Sequence, residues 1–127
     1  MTHQPVIVPD GAPELKTMQE AARKGLKYRL LIDADGGPSE GLCQGLFYLE
    51  GGHAESPHCH DVPETVHVIA GHGLAVLGDQ RTEINPGDTV FVPAGLAHGF
   101  EAPESMTLLF SFPVDRFAAV TYHEPRA

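Results

Sequence analysis

Short apolar runs separated by glycine and proline are the feature that most restricts how this chain can fold. The sequence contains 14 glycines and 11 prolines, and after residue 26 they recur between short apolar runs. Such runs, bounded by turn-forming residues, are typical of β-strands, and helical periodicity is nearly absent in this region. Many short strands at close spacing are typical of β-sandwiches and barrels. The sequence therefore predicts an all-β fold.

The turn residues also locate the strands. In the segment Asn85-Pro86-Gly87, proline presets φ for the first central position of a turn, and glycine accepts the positive φ of the second. Gly78 and Asp79 indicate another hairpin loop. We predict nine strands, over residues 28–32, 42–50, 53–60, 65–70, 73–77, 81–84, 89–92, 97–101 and 106–112.

One short helix is predicted near the N-terminus. Leu15, Met18, Ala22 and Leu26 recur at intervals of three and four residues, which is the spacing of one helical face. The helix is expected to end near residues 24–25, where a glycine supplies a normal stop signal.

The length and charge of the chain limit its organisation and partners. A chain of 127 residues can bury about two-thirds of its unfolded surface without disulfides, so we predict one domain over residues 1–127. Eight Lys and Arg against 17 Asp and Glu give a net charge of -9. The resulting field repels phosphate backbones and anionic lipid, so neither nucleic acid nor a membrane is an expected partner.

Cysteine content and the first residues indicate the compartment. Cys43 and Cys59 are the only cysteines, too few for the disulfide framework of a small secreted domain. Residues 1–11 lack the basic region and long apolar run of a secretory signal, and no run approaches the length of a membrane span. We therefore expect a cytoplasmic protein with reduced thiols.

Three histidines and one glutamate have the spacing of metal ligands. Alternate residues of an extended strand share a face, so His58 and His60 are expected to present both rings to one point while Cys59 faces away. After a bend, Glu64 can return beside them, and His98 follows a full hairpin later. Imidazole binds a cation as the neutral base, and the carboxylate is ionised at neutral pH. The set suits a divalent first-row metal.

The spacing of these ligands among glycines and prolines resembles the two motifs of the cupin superfamily. Every spacing of the first motif is matched by Gly52, His58, His60, Glu64 and Gly71. The second motif is matched by Gly87, Pro93, Gly95 and His98. Residues 72–86 separate the two, which looks like the compact spacing of small microbial cupins. One departure is Ala102, where the family pattern often has asparagine; the resemblance covers roughly residues 52–102.

The cupin resemblance implies both a fold and a cofactor. The fold is a double-stranded β-helix, or jelly-roll barrel, in which the motif strands line one end and alternate residues project inward. The cofactor is one divalent transition metal, with iron or manganese favoured and nickel, cobalt, copper or zinc as alternatives. The ligands that the resemblance assigns are His58, His60, Glu64 and His98.

Substrate contacts and proton transfer require further residues near the metal. By strand alternation, Val66 and Phe100 follow two of the ligands inward, either as walls of a substrate pocket or as ordinary core. The catalytic acid or base is unknown, and His53 and Tyr48 are candidates because they lie on predicted strands beside the first motif. His67 has the opposite parity and is expected on an outer face.

Three functions are consistent with these features. The first is a metal-dependent enzyme acting on a small oxygenated metabolite, by a dioxygenase-type or an isomerase- or lyase-type reaction. The second is a non-catalytic module that binds or senses a sugar-like small molecule. The third is a purely structural role, in which the metal only links the two sheets. We also expect a homodimer, because open sheet edges and the apolar segment 106–112 favour association. Residues 6–8 are predicted as a further strand, on the sheet edge of the partner.

Overall fold

In the computed structural model, which describes residues 4–18 and 26–125, the chain is built from β-strands. The other regular element of these ranges is one turn of 3₁₀ helix, Phe117–Ala119. The all-β prediction is confirmed. In the described part of the chain, no helix is long and apolar enough to cross a membrane. The strands are β1 (Lys16–Thr17), β2 (Lys27–Ile32), β3 (Cys43–Leu49), β4 (His53–His58), β5 (Glu64–Ala70), β6 (Gly73–Leu77), β7 (Gln80–Ile84), β8 (Thr89–Val92), β9 (His98–Ala102) and β10 (Met106–Phe112).

The strands form two antiparallel sheets around one core. The larger sheet has the order β1-β2-β3-β10-β5-β8, and the smaller has the order β4-β9-β6-β7. All nine predicted strands are present, each with both ends within two residues of the prediction. The prediction succeeded because turn residues and alternating burial are local signals that the sequence carries directly.

The predicted N-terminal helix is wrong where the structure describes it. Lys16–Thr17, inside the expected helix, form β1 and pair with β2. The N–H of Met18 donates to the carbonyl of Leu26 at 2.8 Å, and both side chains are buried. Their apolar spacing therefore arises from two sides of an antiparallel pair, not from one helical face. Ala22 and the expected helix end at residues 24–25 lie outside the described residues.

Strand alternation places the predicted interior residues as expected. Glu64 and Val66 of β5 are buried, as are His98 and Phe100 of β9. The two-residue period of a strand therefore identifies the inner face correctly on both motif strands.

The expectations about association are changed in two places. The apolar strand β10 lies between β3 and β5 in the middle of the larger sheet, so its alternate residues pack in the core and do not form an edge. Residues 6–8 pair with no strand of this chain, and their pairing with the sheet edge of a partner stays a prediction. The homodimer itself stays a prediction.

A bulge interrupts the pairing of β4 with β9. Glu55 pairs with Phe100 and His58 pairs with His98, so β4 carries one extra residue between these pairs. Both Glu55 and His58 are buried as a result. Gly99 lies opposite the bulge, and a Cβ atom there would stand 2.4 Å from the carbonyl oxygen of Glu55. The bulge that turns both side chains inward therefore requires glycine at position 99.

We expect Gly99→Ala to lower the free energy of unfolding by about 1–3 kcal/mol, because the added methyl overlaps main-chain atoms of the bulge. Gly37→Ala is the matched control, since a Cβ there meets nothing within 4 Å and should change stability by about 0.5 kcal/mol or less. The stability of both variants is measured by the midpoint of their unfolding in urea. Equal midpoints for the two would contradict the tight fit at Gly99.

Candidate metal centre

Three histidines converge at one end of the barrel. His58 is the last residue of β4, His98 is the first of β9, and His60 lies in the loop that follows β4. One ring nitrogen from each lies within 4.8 Å of the other two. Their ring centroids are 4.4 Å to 5.6 Å apart, and all three side chains are buried. Their convergence creates a compact group of nitrogen donors that could hold one metal ion.

Main-chain carbonyls orient the three rings. The Nδ1 atom of each histidine lies near the carbonyl oxygen of a residue two positions away, at 2.8 Å for His60, 2.8 Å for His98 and 3.3 Å for His58. A carbonyl only accepts, so each Nδ1 carries a hydrogen and donates it. In its neutral form, each ring then presents Nε2 as the basic atom, which is the tautomer that binds a metal through Nε2.

Glu64 adds an oxygen to the three nitrogens. Its Oε1 atom lies 3.2 Å from Nε2 of His60 and 3.2 Å from Nε2 of His98. Burial alone raises the pKa of Glu64, but the contacts and charges of the two histidines outweigh it and hold that pKa below its ordinary value. The carboxylate is therefore ionised at neutral pH. The group contains three imidazoles and one anionic oxygen donor, and the structure brings all four predicted side chains together.

Two aromatic side chains that sequence reasoning missed border this group. The ring of Phe112 is edge-on to His60 at 5.2 Å. Tyr122 lies edge-on to His58 at 4.8 Å and to His60 at 5.6 Å. Alternation along β10 identifies Phe112 as an inward residue, but no sequence signal places Tyr122, because it arrives through a contact between distant parts of the chain.

The C-terminal segment, residues 113–125, is fastened beside the histidines by main-chain bonds. Cys59 and His123 exchange two backbone hydrogen bonds, of 3.0 Å and 2.8 Å. The thiol of Cys59 contacts the carbonyl oxygens of His123 and Glu124 at 3.8 Å and 3.7 Å. Cys59 therefore faces the C-terminal segment, and the group of converging ligand atoms among the described residues does not include its thiol. His123 therefore lies beside the loop that carries His60.

A buried carboxylate fastens the same segment from the other sheet. Asp33 accepts the N–H of Phe117 at 2.7 Å and the N–H of Asp35 at 2.9 Å. The thiol of Cys43 lies 3.8 Å from Oδ2 of Asp33, the same oxygen that accepts the N–H of Phe117. Burial first, and then the charge and hydrogen bond of Asp33, raise the pKa of Cys43 to about 12. The thiol therefore stays neutral and donates to the carboxylate.

The two candidate proton-transfer residues do not reach the histidine group. His53 is exposed at the first residue of β4, five residues before His58, which is roughly 15 Å along a strand. Tyr48 lies on β3 between the inward residues Phe47 and Leu49, so its side chain is on the outer face, where Arg29 stands 6.0 Å from the ring centre. Nearness in sequence to the first motif was a poor guide, because it does not indicate which face of the sheet a side chain is on or at which end of the strand it lies.

The remaining predicted residues lie where alternation placed them. Val66 and Phe100 are 1% and 2% exposed and belong to the hydrophobic core. His67 is on the outer face, and its Nδ1 lies 2.8 Å from Oγ1 of Thr89. Phe100 borders a small interior cavity together with Glu55.

The sequence profile of the cupin domain matches residues 45–112, which is more than half of the chain. The chain belongs to the cupin family. Among curated proteins, this cupin is 36% identical over 56 residues to the uncharacterized protein SCO3923 of Streptomyces coelicolor, covering 44% of this chain and 53% of that protein. The cupin therefore spans about half the length of the curated relative it matches.

Solved structures confirm the cupin barrel. The polyketide cyclase RemF from Streptomyces resistomycificus is 23% identical, with a TM-score of 0.79 over 99% of this cupin and 87% of RemF. The manganese-containing oxalate decarboxylase of Bacillus subtilis is 24% identical, with a TM-score of 0.70 over 80% of this cupin and 28% of that chain. A salicylate 1,2-dioxygenase variant from Pseudoaminobacter salicylatoxidans is 18% identical, with a TM-score of 0.65 over 70% of this cupin and 27% of that chain.

We expect Asp33→Asn to loosen the C-terminal segment of this cupin, because the amide nitrogen cannot accept the N–H bonds that the carboxylate accepts. The free energy of unfolding should fall by about 1–3 kcal/mol, and the amide hydrogen of Phe117 should exchange faster. Asp35→Asn is the control, since that side chain is 61% exposed and pairs with Arg116 at the surface. Unchanged exchange at Phe117 in Asp33→Asn would contradict the proposed fastening.

Proposed function

We propose that this cupin is a metal-dependent enzyme that acts on a small oxygenated metabolite, with His58, His60, Glu64 and His98 holding one divalent transition metal. The convergence of the three ring nitrogens within 4.8 Å is the observation that carries the proposal. Histidines with a purely structural role have no reason to be buried together with their Nε2 atoms facing one point.

The chemistry of the donor atoms fits such an ion. Nε2 of His98 is buried and has no hydrogen-bond partner among the residues that the structure describes. It lies 3.2 Å from the ionised Glu64, so two electron-rich atoms face each other unless a proton or a cation stands between them. A divalent cation bound by all four side chains would satisfy every one of these lone pairs.

The ligand types narrow the choice of metal without fixing it. Mixed imidazole and carboxylate ligation suits iron, manganese, nickel, cobalt, copper and zinc, and affinity order alone does not decide among them. Iron or manganese is favoured, and the Mn(II) centres of the similar oxalate decarboxylase support manganese. When bound, such an ion supplies a Lewis acid for a substrate carbonyl or hydroxyl, or a redox centre for oxygen chemistry.

The residues around the ligands support a role in excluding water and orienting a small molecule. Phe112 and Tyr122 border two of the ligand rings and present apolar edges beside them. An apolar border strengthens electrostatic interactions at the centre and favours a compact guest. Val66 and Phe100 support this border from the core, and contact of either side chain with substrate stays part of the proposal.

Two types of reaction stay within the proposal. Likeness to the salicylate 1,2-dioxygenase supports dioxygenase-type chemistry, and likeness to the polyketide cyclase supports an isomerase-, lyase- or cyclase-type reaction. The alternative is a non-catalytic cupin that binds or senses a sugar-like molecule at the same centre. Fold alone does not decide among these reactions. Identification of the native metal and a test of turnover are needed to distinguish them.

We further propose that the enzyme works as a homodimer in the cytoplasm. The larger sheet ends in β1 and β8, and large apolar side chains near it, including Leu42 and Phe91, are 63% exposed. Covering such edges and apolar side chains is a common reason for association. Two free buried cysteines support a reducing compartment.

We expect the untagged protein to bind about one equivalent of a first-row divalent metal, with affinity falling as the pH is lowered from about 8 to about 5.5, because protons compete for the imidazole nitrogens. His60→Ala and His98→Ala should abolish tight binding. His67→Ala is the control, since its side chain bonds to Thr89 on the outer face. Metal analysis measures the bound metal, and calorimetric titration measures its affinity. Failure of the metal-free protein to rebind any metal would contradict the proposal.

Turnover separates the enzyme from the binding module. Small hydroxy acids, keto acids and catechols are incubated with the metal-loaded protein, and oxygen uptake and substrate loss are followed. We expect catalytic loss of at least one compound, absent in His98→Ala because that variant lacks a ligand. Stoichiometric binding without turnover would favour the sensing alternative. Native zinc without oxygen uptake would remove the dioxygenase branch.

A further inference from the structure

Glu55 is a carboxylate inside the barrel that the ligand set does not use. Its side chain is 3% exposed. It borders a small cavity whose other walls are mostly apolar, including Phe47, Phe100 and Leu108. Placing a carboxylate in such surroundings costs free energy, so an apolar residue would be the simpler choice for core packing. The position therefore points to a task other than filling the core.

The bulge brings this carboxylate to one of the histidines. Because β4 has an extra residue between Glu55 and His58, both side chains project to the interior, where a regular strand would send them to opposite faces. Oε2 of Glu55 lies 3.7 Å from Nδ1 of His58. Gly99 permits the bulge, so one local feature of the β4–β9 pair creates the contact.

His58 differs from the other two histidines in how its Nδ1 is held. The carbonyl contacts of His60 and His98 are 2.8 Å long, whereas that of His58 is 3.3 Å. Among the described residues, His58 is the one whose Nδ1 has a carboxylate within 4 Å. The Nδ1 atom of His58 therefore has a long carbonyl contact and, just beyond hydrogen-bond distance, a carboxylate that acts on it through its charge.

We propose that Glu55 is a positioning residue of the metal centre, whose carboxylate lies close enough to Nδ1 of His58 to act on it by charge, and so orients the ring and strengthens the donation of its Nε2. A carboxylate behind a ligating imidazole raises the basicity of the ligand and restrains its ring. The inference rests on the proposed function, since it assumes that His58 is a ligand. It makes the three histidines unequal, with His58 the strongest donor.

The test compares Glu55→Gln with the parent protein in titrations of the metal-free full chain with Co²⁺, followed by the visible absorption of the bound ion. Glutamine keeps the shape but removes the charged acceptor. We expect the dissociation constant to rise 10- to 100-fold and the absorption band to shift, because the donor strength of His58 changes. Glu101→Gln is the matched control, since Glu101 is on the paired strand but pairs with Arg81 at the surface.

Unfolding in urea without metal separates positioning from structure. We expect Glu55→Gln to unfold at about the same urea concentration as the parent, because glutamine keeps the size of the side chain and can still form hydrogen bonds. Weaker binding together with a lower midpoint would assign Glu55 a structural role and overturn the inference. Should the variant not fold, Glu55→Met replaces it under the same criteria, since methionine suits the neighbouring Phe47 and Phe100.

The failure of this inference differs from the failure of the proposed function. Parental affinity and an unshifted band in Glu55→Gln, with binding lost in His58→Ala, would reject the role of Glu55 and leave the metal centre standing. A parent chain that binds no Co²⁺ would reject the metal centre and, with it, the role of Glu55.

Discussion

The pairing of β4 with β9 is the interaction on which the candidate site depends. It sets His58 opposite His98, and its bulge turns Glu55 and His58 to the same side. Gly99 makes the bulge possible because any side chain there would meet the main chain of β4. The loop after β4 then carries His60 to the same point, where Glu64 meets it at the start of β5. One irregular strand pair thus assembles donors from four places in the chain.

Much of this arrangement could be predicted from local signals. Turn residues and alternating apolar positions located nine strands, because both signals act over a few residues. The same alternation placed Val66 and Phe100 inside and His67 outside. The four donor side chains were found from motif spacing, which resembles the cupin pattern, and the structure brings them together. Strand alternation alone would not have justified placing His58 and His60 on one face, because β4 ends at His58 and has a bulge just before it.

What could not be predicted depends on contacts between distant segments. The interval between Met18 and Leu26 fits a helix equally well, and only the pairing of β1 with β2 shows that the two residues meet across an antiparallel pair. Tyr122 reaches the histidines because Cys59 and Asp33 fasten the C-terminal segment over them. Glu55 lies three positions before His58, and one of those positions is the extra residue of the bulge, a geometry that periodicity does not reveal.

Under the proposed function, the same buried atoms would have to satisfy a metal-free and a metal-bound state of the protein. Without a metal, Glu64 relies on nearby imidazole to offset its burial, and this contact holds its pKa below the ordinary value. In the proposed metal-bound state, the cation would take over that role and would be held by neutral imidazoles. Binding would then stabilise the folded chain by mass action, in proportion to the logarithm of metal concentration over the dissociation constant. Stability and metal occupancy would thus be coupled through Glu64, and the aromatic rings of Phe112 and Tyr122 would strengthen the coupling by keeping solvent from these charges.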